Sequence, residues 1–179
     1  MNLPNLLTLF RVLLIPLFVI LIINKLFSWA IVTFAVAGAT DAVDGLIARV
    51  THQRTELGAY LDPIADKLLL ASAFITLAII ERIPSWLTII VVTRDVIILI
   101  GFLMFFLTNH RPKMGPSVLS KVTTFLQLSI VLLFLVREYY PVLTPLSNLA
   151  IYGVVIFTVL SGAHYVYVGA RILNEKKTQ

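Results

Sequence analysis

The sequence predicts an all-α integral membrane protein with six transmembrane helices, a short N-terminal interfacial segment and both termini in the cytoplasm. Three observations carry that prediction. The 179 residues are 59% hydrophobic and only 13% charged, with a mean hydropathy of +0.98, well outside the composition of a soluble domain. The apolar residues gather into six runs, five of them long enough for the roughly 20 residues that cross a hydrocarbon core. The short connectors between runs collect prolines and basic residues, where a missing N–H costs least.

In order, the opening "MNLPNLL" places Pro4 before an apolar–polar turn and is expected to lie along the interface. It lacks a basic region ahead of its apolar part and a small-x-small cleavage site, so it reads as retained. The six runs are Leu9–Ile23, Phe27–Ala48, Glu56–Ile80, Ser85–Leu107, Ser117–Leu135 and Leu146–Ile172. Only the first is marginal in length. The connectors are "NK", "RVTHQRT", "ERIP", "TNHRPKMGP" and "REYYPVLTP". None is long enough to fold alone, and no internal repeat is present, so residues 1–179 read as a single membrane domain.

Charge sets the orientation. Arg11, Arg49, Arg54, Arg111, Lys113, Lys121, Arg171, Lys176 and Lys177 fall at one set of ends, and Lys25, Arg82 and Arg137 at the other. The positive-inside rule puts the first set, and both termini, in the cytoplasm. The net charge of +5 suits loops beside anionic lipid. Its scatter offers no aromatic-rich basic surface, which excludes nucleic acid as a partner. With no cysteine, disulfides and thiolate metal sites are excluded as well.

The chemistry concentrates between Asp41 and Lys67. Four of the nine acidic residues lie there, as Asp41, Asp44, Asp62 and Asp66. The first pair is three apart and the second four apart, so each pair shares a helical face. A short loop makes the two helices antiparallel neighbours, and the four carboxylates can converge at one depth. Left bare in a low dielectric they would repel and take up protons. Oxygen-only ligands favour a hard cation, Mg²⁺ or Mn²⁺, and two ions would suit an in-line displacement at phosphorus. The bland reading satisfies the aspartates with Arg49 and Lys67, but four intramembrane carboxylates at these spacings favour a site. Gly45, Ala48 and Gly58 leave room for a ligand against backbone. Arg49 stands where a phosphate could sit, and Thr55 is a helix cap or a hydroxyl contact.

The string D-x2-D-G-x2-A-R-x8-G-x3-D-x3-D, from Asp41 through Asp66, resembles the signature of the CDP-alcohol phosphotransferase family at all eight fixed positions. The likeness extends to "PNLLTLFR" and to the six-helix layout. It implies an enzyme that cleaves a CDP-linked lipid, CDP-diacylglycerol, passes its phosphatidyl group to an alcohol and releases CMP. Carried over by position, Asp41, Asp44, Asp62 and Asp66 hold two Mg²⁺ or Mn²⁺ ions, and Asp66 is also the general base. Asn5, Gly45, Ala48, Arg49, Thr55 and Gly58 match positions that receive the CDP-lipid. The resemblance further implies a homodimer, in a bacterial inner membrane with the site facing the cytoplasm.

The acceptor is read from cations outside the motif. Arg94, Lys121, Arg111 and Lys113 lie on the cytoplasmic side and suit a phosphate-bearing acceptor, although a buried Arg94–Asp95 pair is the plain alternative. "NLPNLLTLFRVLLIPLF" and the Lys121, Thr124, Gln127 spacing resemble the phosphatidylglycerophosphate synthases of that family, whose acceptor is glycerol 3-phosphate. Arg94-Asp95 and "PSVLSKVTTFLQ" also resemble its cardiolipin synthases, whose acceptor is phosphatidylglycerol. The competing class is a cation transporter using the acidic cluster. The cluster's place near one face, beside a nucleotide-like Gly/Ala/Arg set, argues against it.

Overall fold

A computed structural model describes residues 3–50, 56–107 and 117–175, and the side chains of residues 6–41, 64–101 and 117–169. These residues form α1 Leu3–Ile23, α2 Phe27–Val50, α3 Glu56–Ile79, α4 Ser85–Leu107, α5 Val118–Val136 and α6 Thr144–Glu175, with a short 3-10 helix at Pro141–Leu143 leading into α6. No strand occurs among the described residues. Every predicted run is a helix, and the bounds differ by at most three residues except at the start of α1.

There α1 reaches back to Leu3, through the residues expected along the interface. Pro4 falls in the first helical turn, where its N–H would have no intrahelical partner in any case. The helix also continues through Pro16, because apolar neighbours on both sides of it pack against the bundle.

Leu6–Ile23, Val118–Val136 and Pro141–Gly169 are long and apolar enough to cross a membrane, and Phe27–Asp41 is a shorter apolar stretch. The outward faces agree. Leu13, Trp29, Ile89 and Ile156 are all more than half exposed, as residues facing hydrocarbon must be. The chain is an integral membrane protein.

Inside, α1 packs against α2 and α3, α3 against α4, and α6 against α4 and α5, with α5 closing on α2 and α3. Phe18, Phe34, Phe74, Leu77, Val91 and Phe134 form the heart of the core, and the Phe18 and Phe34 rings lie 5.3 Å apart. Alanines at 30, 37 and 73 are fully buried, so neighbouring backbones approach closely. Hydroxyls bridge the helices as well. Thr88 donates to the Phe74 carbonyl at 3.1 Å, and Thr123 to the Phe157 carbonyl at 3.1 Å.

Two tight turns share one design. Lys25 and Glu81 both take φ of 59°. Behind Lys25, the Leu26 N–H returns to the Leu21 carbonyl at 2.9 Å and the Lys25 N–H to Ile22 at 2.9 Å. Behind Glu81, Arg82 N–H returns to Leu77 at 2.8 Å and Glu81 N–H to Ala78 at 3.0 Å. Each is a Schellman cap that satisfies the last carbonyls of its helix. Both turns close the same end of the bundle, opposite the α2–α3 connection.

Candidate functional site

Asp41 lies nine residues before the end of α2 at Val50, and Asp66 ten residues after α3 begins at Glu56. In an antiparallel pair, that near-equal distance from the connection sets them at the same depth. Asp44 and Asp62 lie one turn nearer the connection on the same two helices. Their side chains fall outside the described residues, as do those of Asn5, Gly45, Ala48, Arg49 and Gly58. Thr55, Arg111 and Lys113 lie outside them altogether.

Arg11 joins the two described carboxylates. Its Nη1 is 3.1 Å from Asp41 Oδ1 and 2.5 Å from Asp66 Oδ1. The two oxygens are therefore no farther apart than the sum of those distances. The Arg11 side chain is fully buried, whereas the Asp41 and Asp66 side chains are 46% and 38% exposed. The cation lies behind the carboxylates, and the carboxylates open outward. The burial of Arg11 follows from its helix: Thr8, Arg11, Leu14, Phe18 and Ile22 are the buried residues of α1, spaced three and four apart along one stripe.

Sequence reasoning counted Arg11 only as a flanking charge. Its place on that apolar stripe was the available signal: a charged residue on the packing face of an α-helix must find buried partners.

The donor set suits a hard divalent cation. The described carboxylate oxygens come from two helices and share one arginine nitrogen, and these three described groups together keep one net negative charge. No cluster of three metal-ligating side chains occurs among the described residues, since two of the four carboxylates lie outside them.

A second charged cluster begins one residue further along α3. Lys67 Nζ is 2.6 Å from Asp95 Oδ1, and Arg94 Nη1 contacts the same oxygen at 2.6 Å. Arg94 Nη2 donates to Ser120 Oγ at 2.8 Å and to Ser161 Oγ at 2.6 Å, tying α4 to α5 and α6. Arg94 packs over Gly162, where even a Cβ would meet Arg94 Cγ only at an ordinary contact distance of 3.4 Å. Arg94 and Asp95 are buried, so the plain pairing holds, but it holds with two cations on one carboxylate. The cluster keeps a net positive charge. Arg94 Nε is buried with no hydrogen-bond partner.

Lys67 thus pairs with Asp95, where the sequence reading offered it to the motif aspartates. Adjacent helical residues diverge by about 100°, which sends Asp66 toward α1 and α2 and Lys67 toward α4. Lys121 follows Ser120 on α5, and its side chain is exposed. Gln127, from the same predicted set, is instead fully buried, with its Nε2 3.5 Å from Thr158 Oγ1.

Residues 1–160 match the family model described as CDP-alcohol phosphatidyltransferase. The chain belongs to that family. A CDP-diacylglycerol–glycerol-3-phosphate 3-phosphatidyltransferase of Bacillus subtilis (strain 168) is 32% identical over 92% of this chain and 93% of its own. Its counterpart of the same name from Pseudomonas fluorescens is 43% identical over 55% of this chain and 53% of its own. The human cardiolipin synthase (CMP-forming) is 36% identical over 73% of this chain and 48% of its own. Family membership makes the protein a transferase of phospholipid biosynthesis and sets aside the transporter reading.

Proposed function

We propose that the protein transfers the phosphatidyl group of CDP-diacylglycerol to the hydroxyl of glycerol 3-phosphate, giving phosphatidylglycerophosphate and CMP. The observation that carries this reading is the pairing of Asp41 and Asp66, the first and last carboxylates of the motif, on a single Arg11 nitrogen. Two carboxylates 25 positions apart in sequence meet at one atom.

Asp41, Asp44, Asp62 and Asp66 would hold Mg²⁺ or Mn²⁺, two ions in all. Bound there, the ions would neutralise the pyrophosphate and make CMP a better leaving group. Asp66 is the general base: its part-exposed carboxylate takes the proton of the acceptor hydroxyl. The acceptor oxygen then forms its bond to the phosphatidyl phosphorus, and the bond from that phosphorus to CMP breaks. Asn5, Gly45, Ala48, Arg49, Thr55 and Gly58 receive the CDP-lipid by their match to the motif.

The acceptor follows from adjacency. Asp66 serves the hydroxyl, and Lys67 and Arg94 form a net-positive cluster one residue away that suits a phosphate. Lys121, Arg111 and Lys113 add positive charge at the cytoplasmic entrance. Glycerol 3-phosphate carries both a hydroxyl and a phosphate, and the Bacillus subtilis relative, named for that acceptor, is aligned over most of the chain. Phosphatidylglycerol also carries both groups, and the human relative is named as a cardiolipin synthase, which supports it as the second reading. In this reading the chain crosses a bacterial inner membrane six times, keeps both termini and the site on the cytoplasmic side, and assembles as a homodimer.

An acceptor panel tests the proposal. Purified protein is given CDP-diacylglycerol with glycerol 3-phosphate, phosphatidylglycerol, serine or inositol phosphate in separate reactions. Lipid product with glycerol 3-phosphate is expected. Product on phosphatidylglycerol alone would replace the first reading with the second.

A further inference from the structure

We infer that Arg11 is the positioning residue of the acidic site: a built-in cation that holds Asp41 and Asp66 together before divalent ions load, and that opposes those ions for the same oxygens. The inference rests on the reading of Asp41 and Asp66 as metal ligands, and goes beyond it by giving the metal-free site a structural counter-ion.

Geometry carries it. One guanidinium nitrogen reaches carboxylates on two different helices, at 3.1 Å on α2 and 2.5 Å on α3. Without it, the Asp41 and Asp66 carboxylates would bring like charges to one depth on α2 and α3. Arg11 comes from α1, the helix that packs against both, and it is fully buried while both partners open outward. A guanidinium cannot shed its proton to escape burial, so the charge is permanent. Among the described residues it is a single charge facing two carboxylates, and the three together stay net negative. A divalent ion therefore still enters, against the repulsion of the arginine and in competition for oxygens the arginine already holds.

This differs from an arginine that merely ties three helices together. A structural tie predicts that its loss loosens the site and weakens metal binding. A built-in counter-ion predicts the opposite sign. Arg11→Gln removes a unit charge beside the ions, and Mn²⁺ should then bind about tenfold tighter, the order given by a monovalent–divalent repulsion across a few ångströms of water-like dielectric. The metal-free form should lose thermal stability, because two carboxylates face each other unneutralised.

The test uses full-length protein in detergent. Mn²⁺ binding is followed by the electron paramagnetic resonance signal of the free ion, and Tm is measured in EDTA and in saturating Mn²⁺. For Arg11→Gln, the expected result is a lower Tm in EDTA, a larger Mn²⁺-induced rise than in the wild type, and tighter Mn²⁺ binding. Arg11→Lys keeps the charge and should give a Mn²⁺-induced rise close to the wild-type one. Weaker or unchanged Mn²⁺ binding in Arg11→Gln, with the wild type responding normally, overturns the inference and leaves the metal reading standing. A wild type whose Tm ignores Mn²⁺ and which binds none overturns both. Should Arg11→Gln yield no folded protein, Arg11→Gln/Asp41→Asn, which removes one charge of each sign, is expected to restore folding in EDTA. A pair as unfolded as the single variant would also overturn it.

Discussion

Both ends of the bundle carry arginine–carboxylate clusters, and they are built differently. At the turn end, Arg82 pairs with Glu138 at 3.0 Å. Arg137 is fixed by the Ser147 hydroxyl at 3.0 Å, the Arg82 carbonyl at 2.8 Å and the Phe134 ring, whose centroid lies 3.9 Å from its guanidinium. There the Arg82 and Arg137 guanidiniums share that end with Glu138 and are otherwise fixed by neutral partners, and both helix ends are capped. At the acidic end, one buried arginine serves two carboxylates, and one carboxylate serves two cations. Neither group balances. The contrast lies in what fixes the charges: neutral hydroxyl, carbonyl and ring contacts hold Arg137 at the turn end, whereas at the acidic end the described charges share single atoms, and they sum to negative where a cation is expected and to positive where a phosphate is expected.

Breaking that imbalance should matter most at its chemical centre. Asp66→Asn is expected to reduce transfer by roughly 10²–10⁴-fold, the ordinary contribution of a positioned base, while CDP-diacylglycerol binding persists. Turnover at the wild-type rate would remove Asp66 from its role. Asp41→Asn should come next. It removes a ligand charge, so activity falls and the Mg²⁺ concentration for half-maximal rate rises; a rate lost with no change in that concentration would count against Asp41 as a ligand.

Sharpening the comparison at the basic cluster calls for Lys67→Met. Its Asp95 partner retains Arg94, so the fold should survive. The KM for glycerol 3-phosphate should rise, by about tenfold for one lost charge-assisted contact, with kcat changing less. An unchanged KM would remove Lys67 from the acceptor site. The smallest effect belongs to the turn end. Arg82 is 39% exposed in its pair, and Arg82→Ala should cost about 1 kcal/mol or less in stability and leave kcat untouched. A large loss of activity there would erase the distinction between the two ends.

Much of this was legible in the chain. Six apolar runs became six helices because hydrophobic length and proline-bearing connectors are strong local signals. The acidic motif was visible because its spacing is helical. What stayed hidden depends on which way a side chain faces. Arg11 looked like a flanking charge until the packing stripe of α1 placed it beneath Asp41 and Asp66. Lys67 looked like a partner for its neighbour Asp66, yet consecutive helical residues point apart, and it reaches Asp95 on α4. The reach of α1 back to Leu3 was hidden because proline disfavours a helix in general, whereas Pro4 lies in the first turn, where its missing N–H costs least.

The central claim is that the acidic end is a divalent-dependent phosphatidyl-transfer site, and CMP release tests it most directly. Purified protein in CDP-diacylglycerol micelles should release CMP only when glycerol 3-phosphate and Mg²⁺ or Mn²⁺ are both present, one CMP for each phosphatidylglycerophosphate formed, and EDTA should stop it. CMP release that continues in EDTA, or that ignores glycerol 3-phosphate, would contradict the account.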